Sequence, residues 1–304
     1  MTSEDSSMKE KITVFGSFVV DLMGRTPHLP VPGETVKGSL FKQGAGGKGF
    51  NQAIAAHKAG GDVAMATKLG RDTMAQVATD AMDLVGMPKD YLFYHPEAHT
   101  GIALIMVDEN TSQNMIVIVP GACATITEQD IASVEERIKE SAYLLLQLEV
   151  NQDANEKAAA LARANGVKVI INTAPYQSVS DDFIKGAYLV TPNEVEAEGL
   201  TGVKVTDLAS ADKAAQVLFN KGVENVLITM GSQGVYLNTK GHSEIIPAYK
   251  VNAIDTTGAG DAFAAGVIAA RLSGYSPART LAFASAAAAI KVQQPGARAT
   301  FTRQ

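Results

Sequence analysis

The segment DTTGAGD at 255–261 is followed directly by AFAAGVIAA at 262–270, where small and apolar residues recur at helical spacing. This pattern predicts a buried helix that begins at the glycines. The first turn of a helix has amide hydrogens without an internal partner, and these donors together with the helix dipole favour an anion. Glycines at the same place let the backbone come close to a ligand.

A carboxylate, Asp261, stands in that first turn. Beside bound anionic phosphate, it is placed to take a proton from a hydroxyl that attacks the anion, which describes phosphoryl transfer. The same residues also fit an ordinary helix start, in which the carboxylate is simply a favourable charge.

Composition indicates a soluble α/β protein with one large domain, since the 304 residues are 46% hydrophobic and include 27 glycines. The net charge of −6 and the absence of a dense Lys/Arg stripe argue against a nucleic-acid partner. No apolar run approaches the roughly 18 residues that span a bilayer, and the polar start is not a signal peptide. The single cysteine, Cys123, favours the cytoplasm. The five histidines show no ligand spacing.

Strands and helices alternate along most of the chain, starting from the strand KITVFGS at 11–17. The alternation predicts an α/β fold with a Rossmann-like, doubly wound, mostly parallel sheet and helices on both faces. Two regions, 20–43 and 98–120, have proline-rich or alternating patterns and predict a small β-sheet lid inserted in a single domain over 8–304. Individual patterns also predict a short strand over 36–41 and a helix over 71–85.

The glycine cluster GAGGKG at 44–49 matches the bare pattern G-x-G-x-x-G. A dinucleotide site needs a buried strand before the cluster and an acidic residue closing the next strand. Both are missing, so a nicotinamide-dependent oxidoreductase is not favoured. Nor is the cluster a Walker loop, because Lys42 and Gly49 replace the first glycine and the Ser/Thr. Close backbone approach to a polyol, with Lys48 and Asn51 as hydrogen-bonding groups, and a flexible hinge both remain open.

Acidic residues follow two predicted strands, Asp21 after the first and Glu149 after the apolar run LLLQL. Ligands of open α/β sheets bind off the carboxyl ends of strands. A charge placed there usually meets a partner or ligand, although a solvated loop acid fits as well.

Two further segments could serve a nucleotide. Asn193 and Glu196 lie three residues apart at a helix start, which suits Mg²⁺ and its waters but equally a capping box. The segment TMGSQG at 229–234 could cradle a nucleotide or form a plain hairpin turn.

Taken in order, these segments resemble the ribokinase branch of the ribokinase-like carbohydrate kinase family, over about 13–300. The most specific matching pieces are GGKGFNQA (46–53), QLE (147–149), NTAP (172–175), TPNEVEAEGLTG (191–202) and DTTGAGDAF (255–263). The resemblance implies ATP-dependent phosphorylation of the 5-hydroxyl of a pentose, in a cytoplasmic enzyme that forms a homodimer through its lid.

The resemblance also implies roles for single residues. Asp261 is expected to be the general base, which also contacts the sugar, and the anion hole is expected from the amides of Gly258, Ala259 and Gly260. The expected sugar-binding residues are Asp21, Gly47, Lys48, Asn51 and Glu149. The expected nucleotide-binding residues are Asn193, Thr229, Gly231, Gly234 and Gly260, with Glu196 acting indirectly on Mg²⁺. A K⁺ site is expected from Asp255, Thr257, Gly296 and Thr300.

Three departures from the family pattern bear on the substrate and the cation site. Val19 replaces an asparagine that binds a sugar hydroxyl, which makes 2-deoxyribose a rival to ribose. Phe50 replaces an alanine and is expected to add bulk near the sugar loop. The sequence also stops soon after the potassium segment, so a final helix is not expected. A non-catalytic sugar sensor would lack the base or the glycines, and both are present.

Overall fold

The computed structural model describes residues 11–111, 113–239 and 242–251, together with 260, 262, 263, 266, 267, 284, 286–290 and 293. The predicted anion-hole residues Gly258 and Ala259, the base Asp261 and the potassium segments lie outside the described residues. The helix predicted after the glycines is confirmed where it is described, because Gly260, 262–263 and 266–267 are helical.

The described secondary structure follows the predicted alternation. In chain order the strands are β1 (Lys11–Phe15), β2 (Val19–Thr26), β3 (Leu40–Gly46), β4 (Asp62–Gly70), β5 (Leu92–His95), β6 (Gly101–Asp108), β7 (Asn114–Val119), β8 (Tyr143–Leu146), β9 (Lys168–Ile171), β10 (Leu189–Val190), β11 (Val226–Thr229), β12 (Val235–Asn238) and β13 (Ser243–Ile246). The α-helices are α1 (Lys48–Lys58), α2 (Ala75–Val85), α3 (Glu128–Lys139), α4 (Gln152–Ala164), α5 (Asp181–Ile184), α6 (Glu194–Thr201) and α7 (Leu208–Asn220). Short 3₁₀ helices occupy Gly121–Thr125 and Gly231–Gln233.

A nine-stranded sheet runs in the order β13-β12-β11-β10-β9-β8-β1-β4-β5. The strands from β5 to β11 pair in parallel, and β12 and β13 extend the sheet as an antiparallel hairpin. From β1 the chain winds first towards β4 and β5, and later from β8 towards β11. The winding therefore reverses between β1 and β8, which is where open α/β sheets leave a crevice for ligands.

Helices cover both faces of this sheet. On β8, Leu144 and Leu146 belong to one hydrophobic core with α3–α7, while Tyr143 and Leu145 belong to a second core with α1 and α2. This alternation follows from the two-residue period of a strand. The predicted doubly wound fold is therefore confirmed.

The four remaining strands form a small sheet in the order β3-β2-β6-β7. Directly paired residues share a face, so Asp21 lies in one row with Gly44, Ala103 and Ile118. On the opposite face, which we call the outer face, two rows cross the four strands. The first row consists of Phe41, Gly24, Met106 and Met115. The second row consists of Gln43, Leu22, Leu104 and Val117.

The small sheet is attached to the large one by a carboxylate. The backbone N–H and the hydroxyl of Thr100, just before β6, both donate to Asp72 at 2.7 Å. The hydroxyl of Thr100 in turn accepts from Gly70 N–H, at the end of β4, at 3.0 Å. Asp72 also accepts from Ala75 N–H, so it links the start of α2 to the start of β6.

Several predicted boundaries were wrong for physical reasons. α2 begins at Ala75 and not at 71, because the preceding residues form the Asp72 turn. β3 runs over Leu40–Gly46 and not 36–41, because β2 provides partners for every residue from Leu40 to Gly46. Such pairing overrides the local pattern. Along the described parts of the chain, no helix has the length and apolarity needed to cross a bilayer.

Asp72 gives the first testable prediction, which concerns stability against pH. Burial acts to raise the pKa of this carboxyl, but hydrogen bonds from Thr100, Ala75 and Met74 outweigh burial and hold the pKa below its ordinary 3.8. A carboxyl with a lowered folded pKa stabilises the fold fully above its unfolded pKa, and that stabilisation is lost as pH falls through the folded pKa.

We expect Asp72→Asn to lower the free energy of unfolding by about 1 kcal/mol at pH 7, since it loses charged acceptors at a helix start. The difference from wild type should narrow as the pH falls below 3.8, through the lowered pKa of Asp72 in the folded protein. Urea unfolding at several pH values measures both effects. Asp80→Asn, on the exposed side of α2, serves as the control with little expected change. Equal stability of Asp72→Asn and wild type at pH 7 would contradict the prediction.

Candidate active site

Two side chains meet where the winding of the large sheet reverses. Ser17 follows β1 and Glu149 follows β8, and the hydroxyl of Ser17 donates to Oε2 of Glu149. The sequence predicted Glu149 as a ligand-facing acid but did not predict its partner. The contact puts a carboxylate in the crevice that the topology creates.

The same two residues cap helix α1. Its N-cap, Gly47, has φ of 94° and no side chain to accept a hydrogen bond. The first-turn N–H groups instead donate to distant residues: Lys48 N–H to Glu149 at 2.8 Å, Gly49 N–H to the Ser17 hydroxyl at 3.4 Å, and Phe50 N–H to the Ser17 carbonyl at 2.9 Å. These donors are therefore not available to a phosphate, which removes the dinucleotide alternative for this glycine cluster.

Glycines in this cluster allow unusually close contacts. A Cβ on Gly49 would lie 2.7 Å from Ser17 N and 2.8 Å from Gly16 Cα, so the two backbones touch. A Cβ on Gly46 would lie 2.4 Å from Oδ1 of Asp21, so the carboxylate of Asp21 lies directly against the backbone of β3. These fixed contacts disfavour a flexible hinge and favour close approach.

The predicted sugar-binding residues are brought together around the start of α1. Lys48 and Glu149 are joined by a hydrogen bond, Asn51 N–H donates to the Gly47 carbonyl at 2.9 Å, and Asp21 lies beside Gly46. Lys48, Glu149 and Asp21 are half-buried, whereas Asn51 is only 4% exposed. Asn51 thus offers a ligand the least surface of these side chains.

The two substitutions noted in the sequence occupy different environments. Phe50 is fully buried in the core, where its ring packs edge to face on Phe18 with centroids 5.0 Å apart. Its bulk is therefore taken up by the core. Val19 is also buried, but it lies on the same face of the small sheet as Asp21 and packs against Gly101.

The second group of predicted residues lies at the start of α6. Asn193 and Glu196 form a complete capping box, with the Asn193 side chain accepting from Glu196 N–H at 2.8 Å and Glu196 Oε2 accepting from Asn193 N–H at 3.0 Å. Glu196 also accepts from the Asn193 amide and from the Thr173 hydroxyl. Of the two alternatives for this pair, the capping box is the one that the structure shows.

The loop after β11 sits beside that capping box. Thr229 forms a parallel bridge with Asn193, and Thr229 N–H donates to the Pro192 carbonyl at 3.0 Å. Gly231 and Gly234 have φ of 51° and 101°, and Met230 N–H donates to the Gly234 carbonyl at 2.8 Å. Asn193, Thr229 and Gly231 are therefore neighbours, as the nucleotide prediction requires.

Glu196 is buried and both of its oxygens already accept hydrogen bonds. These residues fit Mg²⁺ only through intervening waters, a mode that Mg²⁺ commonly uses. Among the residues that the structure describes, no group of three or more His, Cys, Asp or Glu side chains is placed to hold a metal ion directly.

Cys123 is buried beside Phe18, just before the first strand of the small sheet. Its Sγ accepts from Phe18 N–H at 3.3 Å and donates to the Phe18 carbonyl at 3.1 Å. Burial, with a further contribution from the charge of Glu149, raises the pKa of this thiol to about 11. The thiol therefore stays protonated and holds the chain just before β2.

Sequence reasoning missed several polar residues of the site. Ser17, Gln52, Gln147, Asn172 and Thr173 are all buried, and the last four lie within the quoted motifs without an assigned role. An amide in an otherwise apolar strand or helix was the available signal, because a buried polar group requires a partner.

Comparisons with known proteins agree with this geometry. A family model described as pfkB family carbohydrate kinase matches residues 9–303. The ribokinase of Haemophilus influenzae is 41% identical over 298 residues, which cover 98% of this chain and 97% of that protein. The deoxyribokinase of Salmonella typhi is 37% identical over 253 residues, which cover 83% of this chain and 82% of that protein.

A solved structure of Arabidopsis thaliana ribokinase complexed with ribose and ATP matches with a TM-score of 0.87 at 30% identity, over 95% of each chain. The family model spans nearly the whole sequence, and the match to the Haemophilus influenzae ribokinase also covers nearly all of it. The protein therefore belongs to the pfkB family of carbohydrate kinases.

Proposed function

We propose that this protein is a ribokinase, which transfers the γ-phosphoryl group of ATP to the 5-hydroxyl of D-ribose. The observation that carries the proposal is the convergence of Asp21, Lys48 and Glu149 around the start of α1, at the crevice between β1 and β8. Two carboxylates and a lysine gathered near one crevice suit the hydroxyls of a small polyol. The similarity to the ribokinases of Haemophilus influenzae and Arabidopsis thaliana supports ribose as the sugar.

In this proposal Asp261 is the general base. It accepts the proton of the 5-hydroxyl as the new O5–P bond forms, while the bond from the γ-phosphorus to the bridging oxygen breaks and ADP leaves with that electron pair. The amides of Gly258, Ala259 and Gly260 stabilise the charge that builds up on the transferred group. Asp21, Gly47, Lys48, Asn51 and Glu149 hold the sugar in line.

The nucleotide is bound by Asn193, Thr229, Gly231 and Gly234. Gly260 belongs both to this site and to the anion hole. Mg²⁺, when bound, neutralises charge on the phosphates. Glu196 holds the capping box through its three hydrogen bonds and would act on the ion only through intervening waters. The small sheet closes over the sugar as a lid, and with the large sheet it forms one kinase domain over 8–304.

Deoxyribokinase is the second candidate, and Val19 favours it. This side chain lies on the face that carries Asp21 and offers no hydrogen-bonding group to a sugar hydroxyl. A site without that partner penalises loss of the hydroxyl less. The similarity to a deoxyribokinase over 83% of the chain agrees with this alternative.

The proposal is tested by measuring ADP production with ribose, 2-deoxyribose, fructose and nucleosides at matched concentrations. We expect ribose to give the highest kcat/KM, and Asp261→Asn to lower kcat by about 10²–10⁴-fold with sugar affinity retained. Asp182→Asn, an exposed acid on α5, is the control and should be as active as wild type. Higher kcat/KM for 2-deoxyribose would establish the second candidate, and full activity of Asp261→Asn would remove that residue from its role.

A potassium ion next to the anion hole is a further part of the proposal. It rests on the sequence alone, because Asp255, Thr257, Gly296 and Thr300 lie outside the described residues. The ion orders the anion hole and is not transferred. A free, buried cysteine suits a reducing compartment. An enzyme that also uses ATP with Mg²⁺ and K⁺ is therefore proposed to act in the cytoplasm.

We expect initial rates to be several-fold higher in KCl than in NaCl at the same ionic strength. Asp255→Ala should abolish this difference, because it removes the charged ligand, while ribose binding measured by calorimetry stays unchanged. Identical rates of the wild-type enzyme in both salts would contradict the potassium site.

Homodimerisation through the lid is supported by the outer face of the small sheet. Phe41 is 65% exposed, and Leu104, Met106, Met115 and Val117 are exposed beside it in the two rows. A contiguous apolar face of this kind marks an interaction surface. The matching occupant is the same face of a second copy, because paired rows of apolar side chains are self-complementary about a two-fold axis.

We expect the wild-type protein to sediment as a dimer and Phe41→Glu to sediment as a monomer, because a charge would be buried in the pairing face. Leu84→Glu is the control: this exposed leucine lies on α2, outside the outer face, and its substitution should leave the dimer intact. A monomeric wild type at micromolar concentration would rule the interface out.

A further inference from the structure

A line of buried amides runs along the carboxyl edge of the large sheet. Gln147, at the end of β8, and Gln52, within α1, are both 0% exposed, and Asn172 follows β9 in a buried position. None of these amides is needed to complete a helix or strand. Their presence in an otherwise apolar layer therefore calls for a structural or functional reason.

The three amides form one chain of hydrogen bonds that all point the same way. Gln147 Nε2 donates to Gln52 Oε1 at 2.7 Å, and Gln52 Nε2 donates to Asn172 Oδ1 at 3.4 Å. Asn172 Nδ2 then donates to the carbonyl and hydroxyl of Thr191 at 3.2 and 3.1 Å. Such chains polarise one another and are directional, unlike apolar packing.

The chain of hydrogen bonds connects the two halves of the candidate site. Gln52 lies next to Asn51 and one helical turn after Lys48, so it is part of the sugar-binding helix. Thr191 leads through Pro192, which accepts from Thr229 N–H, into the capping box of α6. Thr173, next to Asn172, donates to Glu196 at 3.1 Å.

Close packing limits movement at the sugar end of the chain. A Cβ on Gly16 would lie 2.0 Å from Gln147 Oε1, so the amide rests against bare backbone after β1. Gly49 touches the same backbone from the side of α1. The start of α1 is therefore held against β1 and β8. The Gln52–Asn172 link, which is the longest of the chain, joins α1 to the nucleotide side by side chains, in addition to the pairing of the strands between them.

We propose that Gln52 is a positioning residue, which sets the distance and angle between the sugar-binding start of α1 and the nucleotide-binding start of α6. The inference rests on the proposed kinase function and names a device within the same site. Misplacement of one reactant by about 1 Å can cost on the order of 10²-fold in rate.

The test is Gln52→Met, which keeps the length and bulk of the side chain but removes its hydrogen bonds to Gln147 and Asn172. We expect kcat to fall by about 10–100-fold, because the two substrates are held in the wrong relative position. The dissociation constants for ribose alone and for the ATP analogue AMP-PNP alone, measured by calorimetry, should change less than about threefold, since each half-site stays intact.

The matched control is Asn238→Leu. Asn238 is also a buried amide, and it donates to the Tyr236 hydroxyl at 2.8 Å and to Asp212 at 3.2 Å, at the far side of the sheet. Its loss should lower Tm as much as Gln52→Met does, but kcat should not change. This comparison separates positioning from a general loss of stability.

Asn172→Ser is a second variant, at the other end of the same link, in case Gln52→Met does not fold. It should give the same loss of kcat with retained binding. The double variant should lose little more than either single one, because both break the same link. Unchanged kcat in the folded variants, or equal losses in Asn238→Leu, would overturn the inference. A wild-type protein that binds ribose and ATP without transfer would instead overturn the proposed function.

Discussion

The carboxylate of Glu149 joins three segments that are far apart in sequence: the stretch after β8, the stretch after β1 and the first turn of α1. The charge is stabilised there because the N-terminus of a helix carries positive partial charge and free donors. Its presence also means that the first turn of α1 is already filled by the protein's own acid. The phosphate is therefore proposed at another glycine-rich helix start, the one described from Gly260, which is exposed.

Features that depend on neighbouring residues were predictable, and features that depend on distant ones were not. The capping box of Asn193 and Glu196 was among the predicted alternatives because its members are three residues apart. The alternation of strands and helices was also predicted from local pattern. The hydrogen bond between Ser17 and Glu149 spans 132 positions and leaves no local signal. The same holds for the extension of β3 to Gly46, which β2 imposes by pairing.

The glycine cluster shows why a motif alone could not give the site. Its glycines look alike in sequence but have different structural roles. Gly47 adopts a φ of 94°, and Gly49 leaves room for the backbone of Gly16. Gly44 has no such steric requirement, because a Cβ there would meet nothing within 4 Å. The cluster is therefore a packing device that lets a helix start sit on two strand ends. The sugar-binding prediction agrees with that placement, whereas the residues proposed to carry the chemistry of transfer, Asp261 above all, rest on the sequence and on family membership.

The strand β7 has a consequence for how the molecule behaves in a crowded cell. It is the last strand of the small sheet, its sequence is NMIVIV, and its side chains are largely exposed. Among the described residues β7 pairs on one side only, and an edge of this composition is a template on which foreign strands can add, as in aggregation. Substitutions that expose this edge further should therefore be noticed first as insoluble protein and lower abundance, before any change in turnover per folded molecule.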